Sequence, residues 1–356
     1  MLFKKLIARF FALLFAVAMF AVCGAAAHAE AVHKTGSFRI LTRFPLGGDG
    51  GWDYLTVDAQ ARRLYIARAD RVMVIDADSG QSIGNVTGLN GAHGIALVQE
   101  QGVGFATSGK SGEVVVFDLK NLSVLTRIQA GENPDAVLYD PASQRVFAFN
   151  GKSKSITVID AKTMKVVTSI PLHGKPEFAV SDGRGKVFFN LEDLGELIAF
   201  DSLKLKLEGT YPLKPCEEPT GLSMDSSKQR LIVGCGNSLA AIVGADTGHL
   251  QQTFNVGQGV DATAFDPGRK LAFVSAGADE GKLTVLYEAK DGFHFQQELQ
   301  TVAGARTLAV DAKTGRIFLP FAQFVPVSPD KSPEGKPPGH SRAIVPGSFA
   351  VLVVGQ

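Results

Sequence analysis

Short apolar runs, four to seven residues long, follow one another along most of this chain, separated by Gly, Asn, Asp, Lys and Pro. Residues 131–176 show the pattern clearly. "DAVLY" leads to a turn at Asp140-Pro141, "RVFAF" follows, then "SITVID", then the looser "KVVTSIPLHG". Runs of this length, rich in Val, Ile and Phe and bounded by turn formers, predict β-strands, and no segment sustains a helical period. Four strands make one unit of about 42 residues.

The unit recurs. Positions equivalent to Asp135 fall at 53, 93, 135, 177, 220, 261 and 306, with spacings of 40, 42, 42, 43, 41 and 45. Seven four-stranded units at this period predict an all-β, seven-bladed β-propeller. The two ends support a closed ring. "FRILTRFPLGG" (38–48) matches the fourth strand of a unit, and "GSFAVLVVG" (347–355) matches a third strand. An N-terminal strand completing the C-terminal blade would leave no open sheet edge. The Trp-Asp pair of WD40 repeats is absent from the strand ends; Trp52-Asp53 occurs once, elsewhere in the unit.

The repeat resembles the YVTN-type units of YncE-like propellers, over about residues 36–356. "NPDAVLYDPASQRVFAFNGKSKSITVIDAKTMKVVTSIPLHGKP" (133–176) and "EPTGLSMDSSKQRLIVGCGN" (218–237) carry the resemblance. Tyr65-Ile66-Ala67-Arg68 and Phe147-Ala148-Phe149-Asn150 stand where the literal signature would be. The resemblance implies the propeller architecture; the family includes binding proteins and proteins of unassigned role, so it implies no single activity.

Residues 1–29 read as a signal peptide: Lys4, Lys5 and Arg9, an apolar core from Phe10 to Val22, and a small-x-small site at Ala27-His28-Ala29. The apolar stretch is short for a membrane anchor, and Val22 is too bulky for lipidation at Cys23. The expected mature chain, 30–356, is one periplasmic or secreted propeller domain without a membrane anchor. Removing three bases and no acids takes the formal charge from +1 to −2. No basic stripe remains, which argues against nucleic acid as a partner. Cys216 and Cys235 survive, and an oxidising compartment invites a disulfide between them; two buried thiols are the alternative.

Three sets of polar positions repeat. Asp58, Asp140, Asp182, Asp225, Asp266 and Asp311 begin the turn after the first strand, and Asp76, Asp118, Asp160, Asp201 and Asp246 follow the third. Asp in such turns bonds nearby backbone amides, so both sets read as structural. The third set varies in type yet stays polar: Asp53, His93, Asp135, Glu177, Thr220, Asp261 and Arg306. It falls where the first strand enters the central channel, so these side chains are expected to converge on the axis as a collar. Crowded carboxylates call for a cation, a proton or Arg306 as compensation.

The collar is therefore the candidate ligand site, for a small polar ligand, a cation or a periplasmic protein partner. Oxygen ligands suit Ca²⁺ or Mg²⁺, and His93 with carboxylates suits a transition metal; no tight His-x-x-x-His or Cys-x-x-Cys motif marks a metal cage. A Pro-rich insertion at about 322–347 lies on the same face and carries His340 and Arg342 as candidate lid residues. The alternative function is a hydrolase or lyase of the lactonase kind working at the same mouth. A third is a subunit of a redox complex, although no haem-attachment motif occurs.

Overall fold

The computed structural model describes residues 36–278, 280–326 and 342–356. Seven four-stranded antiparallel sheets form the blades of a β-propeller, each ordered consecutively from first strand to fourth in six of them. Blade 3 is representative: Pro134–Asp140, Arg145–Asn150, Ser155–Asp160 and Lys165–Pro171. The seventh blade is composite. Ala309–Asp311, Arg316–Phe321 and Ala350–Gly355 come from the C-terminal region, and Arg39–Pro45 closes the sheet by pairing with Ala350–Gly355. The expected closure by an N-terminal strand is what the topology contains.

Burial follows strand position. The middle strands are apolar on both faces because each blade is sandwiched between two others. In blade 2, Val114, Val115, Val116 and Phe117 are all fully buried. Aromatic contacts weld neighbouring blades: Phe147 meets Phe200 edge-on at 5.6 Å between ring centroids, and Phe149 meets Phe189 at 5.3 Å. Such pairs add about 0.5–1.5 kcal/mol each beyond the area they bury. The fourth strands face solvent and alternate between exposed and half-buried positions, as in Lys206–Pro212.

The turn aspartates act on backbone amides. Asp58 Oδ1 accepts from the amides of Gln60 and Ala61 at 3.0 and 2.8 Å, and Asp266 Oδ1 from those of Gly268 and Arg269. Asp76, Asp118, Asp160 and Asp201 do the same after the third strand. Asp246 departs from this pattern. The third strand of its blade ends at Gly244, and there the carbonyl of Gly244 receives the amides of Thr247 and Gly248.

The insertion in blade 7 opens with a small two-stranded ribbon, Phe324–Pro326 paired with Arg342–Ile344. His340, like the signal-peptide reading of 1–29, lies outside the described residues, and of Arg342 only the backbone is described. No described helix is long and apolar enough to cross a membrane.

Candidate functional site

The collar is produced by a backbone irregularity repeated around the ring. In blades 1 to 6, the pairing of first strand with second slips just where the collar residue stands: between Trp52 and Leu55, Ala92 and Ile95, Pro134 and Ala136, Pro176 and Ala179, Pro219 and Leu222, and Val260 and Ala262. A bulge of this kind re-aims the side chain at the extra residue. Here it turns Asp53, His93, Asp135, Glu177, Thr220 and Asp261 out of the alternating pattern. Arg306 differs: it precedes the short strand Ala309–Asp311 and sits on a loop after Gly304.

Buried side chains then pin the collar backbone. Thr307 Oγ1 donates to the carbonyl of Asp53 at 2.9 Å, Thr107 Oγ1 to that of Asp135 at 3.1 Å, and Asn190 Nδ2 to that of Thr220 at 3.2 Å. Ser275 hydroxyl bonds the carbonyl of Arg306, and Tyr54 OH donates to that of Asp261 at 3.3 Å. Every one of these bonds joins two blades. The collar positions are thus fixed relative to one another by groups withdrawn from water, where a satisfied hydrogen bond is costly to lose.

Two aromatic rings fill the channel below the collar. Tyr54 of blade 1 and Phe178 of blade 4 meet with centroids 4.6 Å apart. The equivalent positions in the other five blades hold Gly94, Ala136, Gly221, Ala262 and Thr307. Small residues are needed there because the inner strands nearly touch: a Cβ on Gly221 would lie 2.7 Å from the Thr263 nitrogen. Phe178 also walls a cavity of about 490 Å³ whose lining includes Leu97, Val137, Val180, Met224 and Phe265. The channel is therefore polar on one side of the aromatic pair and mainly apolar on the other.

Within the collar, the ionic contacts divide into two groups. On one side, His93 Nδ1 lies 2.6 Å from Asp53 Oδ2 and 3.3 Å from Asp135 Oδ1. Arg306 joins Asp261 to Asp53, touching an Asp261 oxygen through Nη1 and Asp53 Oδ1 through Nη2 at 3.4 Å. On the other side, Lys175 bridges Glu177, at 3.1 Å, and Glu192. Thr220 stands apart from the ionic contacts, its hydroxyl donating to the carbonyl of Val260 at 3.1 Å. The carboxylates of Asp53, Asp135, Glu177 and Asp261 come from four blades, yet all four act electrostatically on the Tyr54 phenol.

The carboxylates are largely buried, with side-chain exposures of 13–15 %. Burial raises the Glu177 carboxyl to about 8, with the Asp135 charge adding to the effect against the opposing pull of Lys175. Burial likewise lifts Asp261 to about 6 even beside Arg306, and raises Asp135. Burial opposes the charging of His93, but its bond to Asp53 and the charge of Asp135 win, and its pKa rises. The collar holds more negative charge than Arg306 and Lys175 neutralise, so protons occupy part of it.

Lys175, Tyr54, Phe178 and the pinning Thr107, Asn190, Ser275 and Thr307 are parts of this candidate site that the repeat reading did not single out. The residue after each collar position carried a readable signal: five small side chains and two aromatics. Lys175 had none, since it precedes the collar position in one blade alone.

On the same face, Cys216 and Cys235 of blade 5 are joined in a disulfide with Cα atoms 5.4 Å apart.

No family model matches this chain, and no curated protein does. Solved structures share its architecture. The WD40 repeats of RRP9 superpose with a TM-score of 0.70 at 9 % identity, covering 90 % of this chain and 98 % of that one. The WD40 β-propeller domain of Doa1 gives 0.66 at 14 % identity, covering 90 % and 97 %. A chain of Kuenenia stuttgartiensis hydrazine synthase gives 0.66 at 13 % identity, covering 80 % and 95 %. At these identities the likeness is one of fold. The chain is a seven-bladed β-propeller.

Proposed function

We propose that this chain is a secreted or periplasmic binding propeller of the YncE-like kind, and that the collar captures a small ligand carrying positive charge. One observation carries the reading: four buried carboxylates from four blades meet at one channel mouth with too little cationic compensation, so that Glu177 is held as an acid near neutral pH. A bound cation would replace those protons and recover the electrostatic energy that burial costs. The mouth leads to a floor of Tyr54 and Phe178, which suits a ligand that enters from one face and stops. The resemblance of the repeats supports the family part of this reading, and the leader read from residues 1–29 supports the compartment.

The test is thermal denaturation of the mature chain with putrescine, arginine, Ca²⁺, Mn²⁺ and Zn²⁺ as cationic probes and citrate as an anionic one. At least one cation should raise the melting temperature, citrate should not, and a variant with all four collar carboxylates neutralised (Asp53→Asn/Asp135→Asn/Glu177→Gln/Asp261→Asn) should lose the response. A flat response to every cation, or an equal one in the variant, would remove the collar as a binding site.

A second reading, a hydrolase or lyase, is favoured by the Glu177 carboxyl itself. A group titrating near 8 is poised to transfer a proton at neutral pH. Turnover in a lactone and ester panel that Glu177→Gln abolishes would establish it.

A further inference from the structure

We infer that blades 1 to 3 form a built site for one divalent transition-metal ion, with Asp53 Oδ2, His93 Nδ1 and Asp135 Oδ1 as its protein ligands. The inference rests on the reading of the collar as a binding site and names the ion that its stretch from Asp53 to Asp135 would hold. The three ligand atoms all lie within 4.8 Å of one another. Two separations are given by contacts, 2.6 Å from Nδ1 to Asp53 and 3.3 Å from Nδ1 to Asp135. Ligand atoms bound to one ion at about 2.0–2.2 Å in a tetrahedron stand about 3.4 Å apart. The second separation already fits, and a small rotation of the Asp53 carboxylate opens the first.

The surroundings orient these ligands from outside the trio. Each carboxylate has its other oxygen engaged: Asp53 Oδ1 by Arg306 Nη2 at 3.4 Å, and Asp135 Oδ2 by Asn133 Nδ2 at 3.4 Å. The oxygens left over are the two that face His93. Their main chains are pinned as well, through Thr307 and Thr107. The imidazole lies against Gly109, where a Cβ would stand 3.0 Å from Nε2 and 2.9 Å from Cδ2. Ligands held by a second layer of hydrogen bonds are the mark of a metal site rather than of loose surface acids.

A separate observation comes from the neighbouring blade. Glu177 Oε2 is buried with Lys175 Nζ as its ionic partner at 3.1 Å. Lys175 is thus engaged by Glu177 and Glu192, and among the described residues it forms no ion pair with Asp53 or Asp135.

The donor set selects the class of ion. One imidazole nitrogen with two carboxylate oxygens suits Mn²⁺, Fe²⁺, Co²⁺ or Zn²⁺, whereas Ca²⁺ takes six to eight oxygens and has no use for the ring. Three protein ligands on one side leave the ion's remaining positions open, the arrangement that catalytic and ligand-capturing metal sites share.

The experiment is a Co²⁺ titration of the chelator-stripped chain, followed by visible absorption and by bound metal per chain. The expected result is one Co²⁺ per chain with a d–d band, at least 100-fold weaker binding in His93→Gln, and about tenfold weaker binding in Asn133→Ala, which disturbs only the outer support. Far-ultraviolet circular dichroism of both variants establishes that they are folded. Absence of a stoichiometric site, or Co²⁺ binding unchanged in folded His93→Gln, overturns the inference. Because putrescine and arginine are scored separately, a chain that binds those amines but not Co²⁺ sinks the metal site and leaves the binding propeller standing.

Discussion

Tyr54 and Phe178 lie on blades 1 and 4, 124 residues apart in the chain, and their rings meet at 4.6 Å in the channel. The contact sets the depth of the polar mouth and separates it from the apolar cavity beyond. Tyr54→Phe removes only the hydroxyl bond to the Asp261 carbonyl, and should cost about 1 kcal/mol. Tyr54→Ala removes the floor, should cost about 3–5 kcal/mol by comparison with other buried aromatics, and should weaken any collar ligand. Urea unfolding of the two variants checks the order; equal losses would mean that the ring does not fill the channel.

Glu177 makes stability depend on pH in an uncommon direction. Its carboxyl is raised by burial from the usual value to about 8, so the folded chain holds a proton there that the unfolded chain releases near 4.5. Its stabilising contribution is full below about 4.5 and is lost as pH rises to about 8. The melting temperature should therefore fall across that window more steeply in the wild type than in Glu177→Gln. Parallel profiles would contradict the assignment.

Asp140 works in the opposite sense. It is fully buried, yet Ser181 and Ser202 donate hydroxyls to it at 2.5 and 2.7 Å and the Ser143 amide donates at 2.9 Å. Burial alone would raise its pKa; these bonds prevail and lower it. A carboxylate depressed in the folded state adds stability above its unfolded value of about 4, and the contribution disappears as pH drops through the folded value. Asp140→Asn should lose about 1–3 kcal/mol at pH 7 and show a shallower acid transition, read by denaturant melts from pH 2 to 7.

The disulfide between Cys216 and Cys235 closes a loop with a sequence separation of 19. Chain-entropy arithmetic assigns about 3 kcal/mol to a loop of that length. The Cys216→Ala/Cys235→Ala variant should melt at a lower temperature by a corresponding amount, whereas a reductant should leave its melting temperature unchanged.

Gly221 offers a test of inner-ring crowding. A methyl group there would meet the Thr263 nitrogen at 2.7 Å and the Ala262 carbonyl carbon at 2.8 Å, both backbone atoms with nowhere to rotate. Gly221→Ala should therefore destabilise by about 1–3 kcal/mol, the range for overpacking. Gly183→Ala, at a site with open space but positive φ, should cost less, about 1 kcal/mol. Thermal melts of the pair decide whether space or backbone conformation dominates.

Much of this was legible in the chain before any coordinates. Strand alternation and the recurrence from Asp53 to Arg306 marked seven blades, because each blade must bury the same two faces against its neighbours. The match of residues 38–48 to a fourth strand anticipated the closing pair of Arg39–Pro45 with Ala350–Gly355. The collar showed itself as a position that changed type while staying polar. What was not legible is how that position is aimed. A bulge such as that between Pro134 and Ala136 is a backbone event with no composition of its own. The pairing of Lys175 with Glu177 and Glu192 was equally hidden, since it links a residue before the first strand to the connection after the second. The turn aspartates misled at one place, Asp246, because Gly244 holds the strand-end position opposite Arg230 that Asp160 holds opposite Arg145, and Asp246 lies two residues beyond it.

The composite seventh blade sets an order of events during synthesis. Arg39–Pro45 leaves the ribosome about 300 residues ahead of its partner Ala350–Gly355. Until that partner emerges, the early strand has no ladder to join and waits with its amides and carbonyls unpaired. The circle is therefore sealed only when that partner arrives, and a chain halted before residue 350 would be left as an arc with two sticky edges.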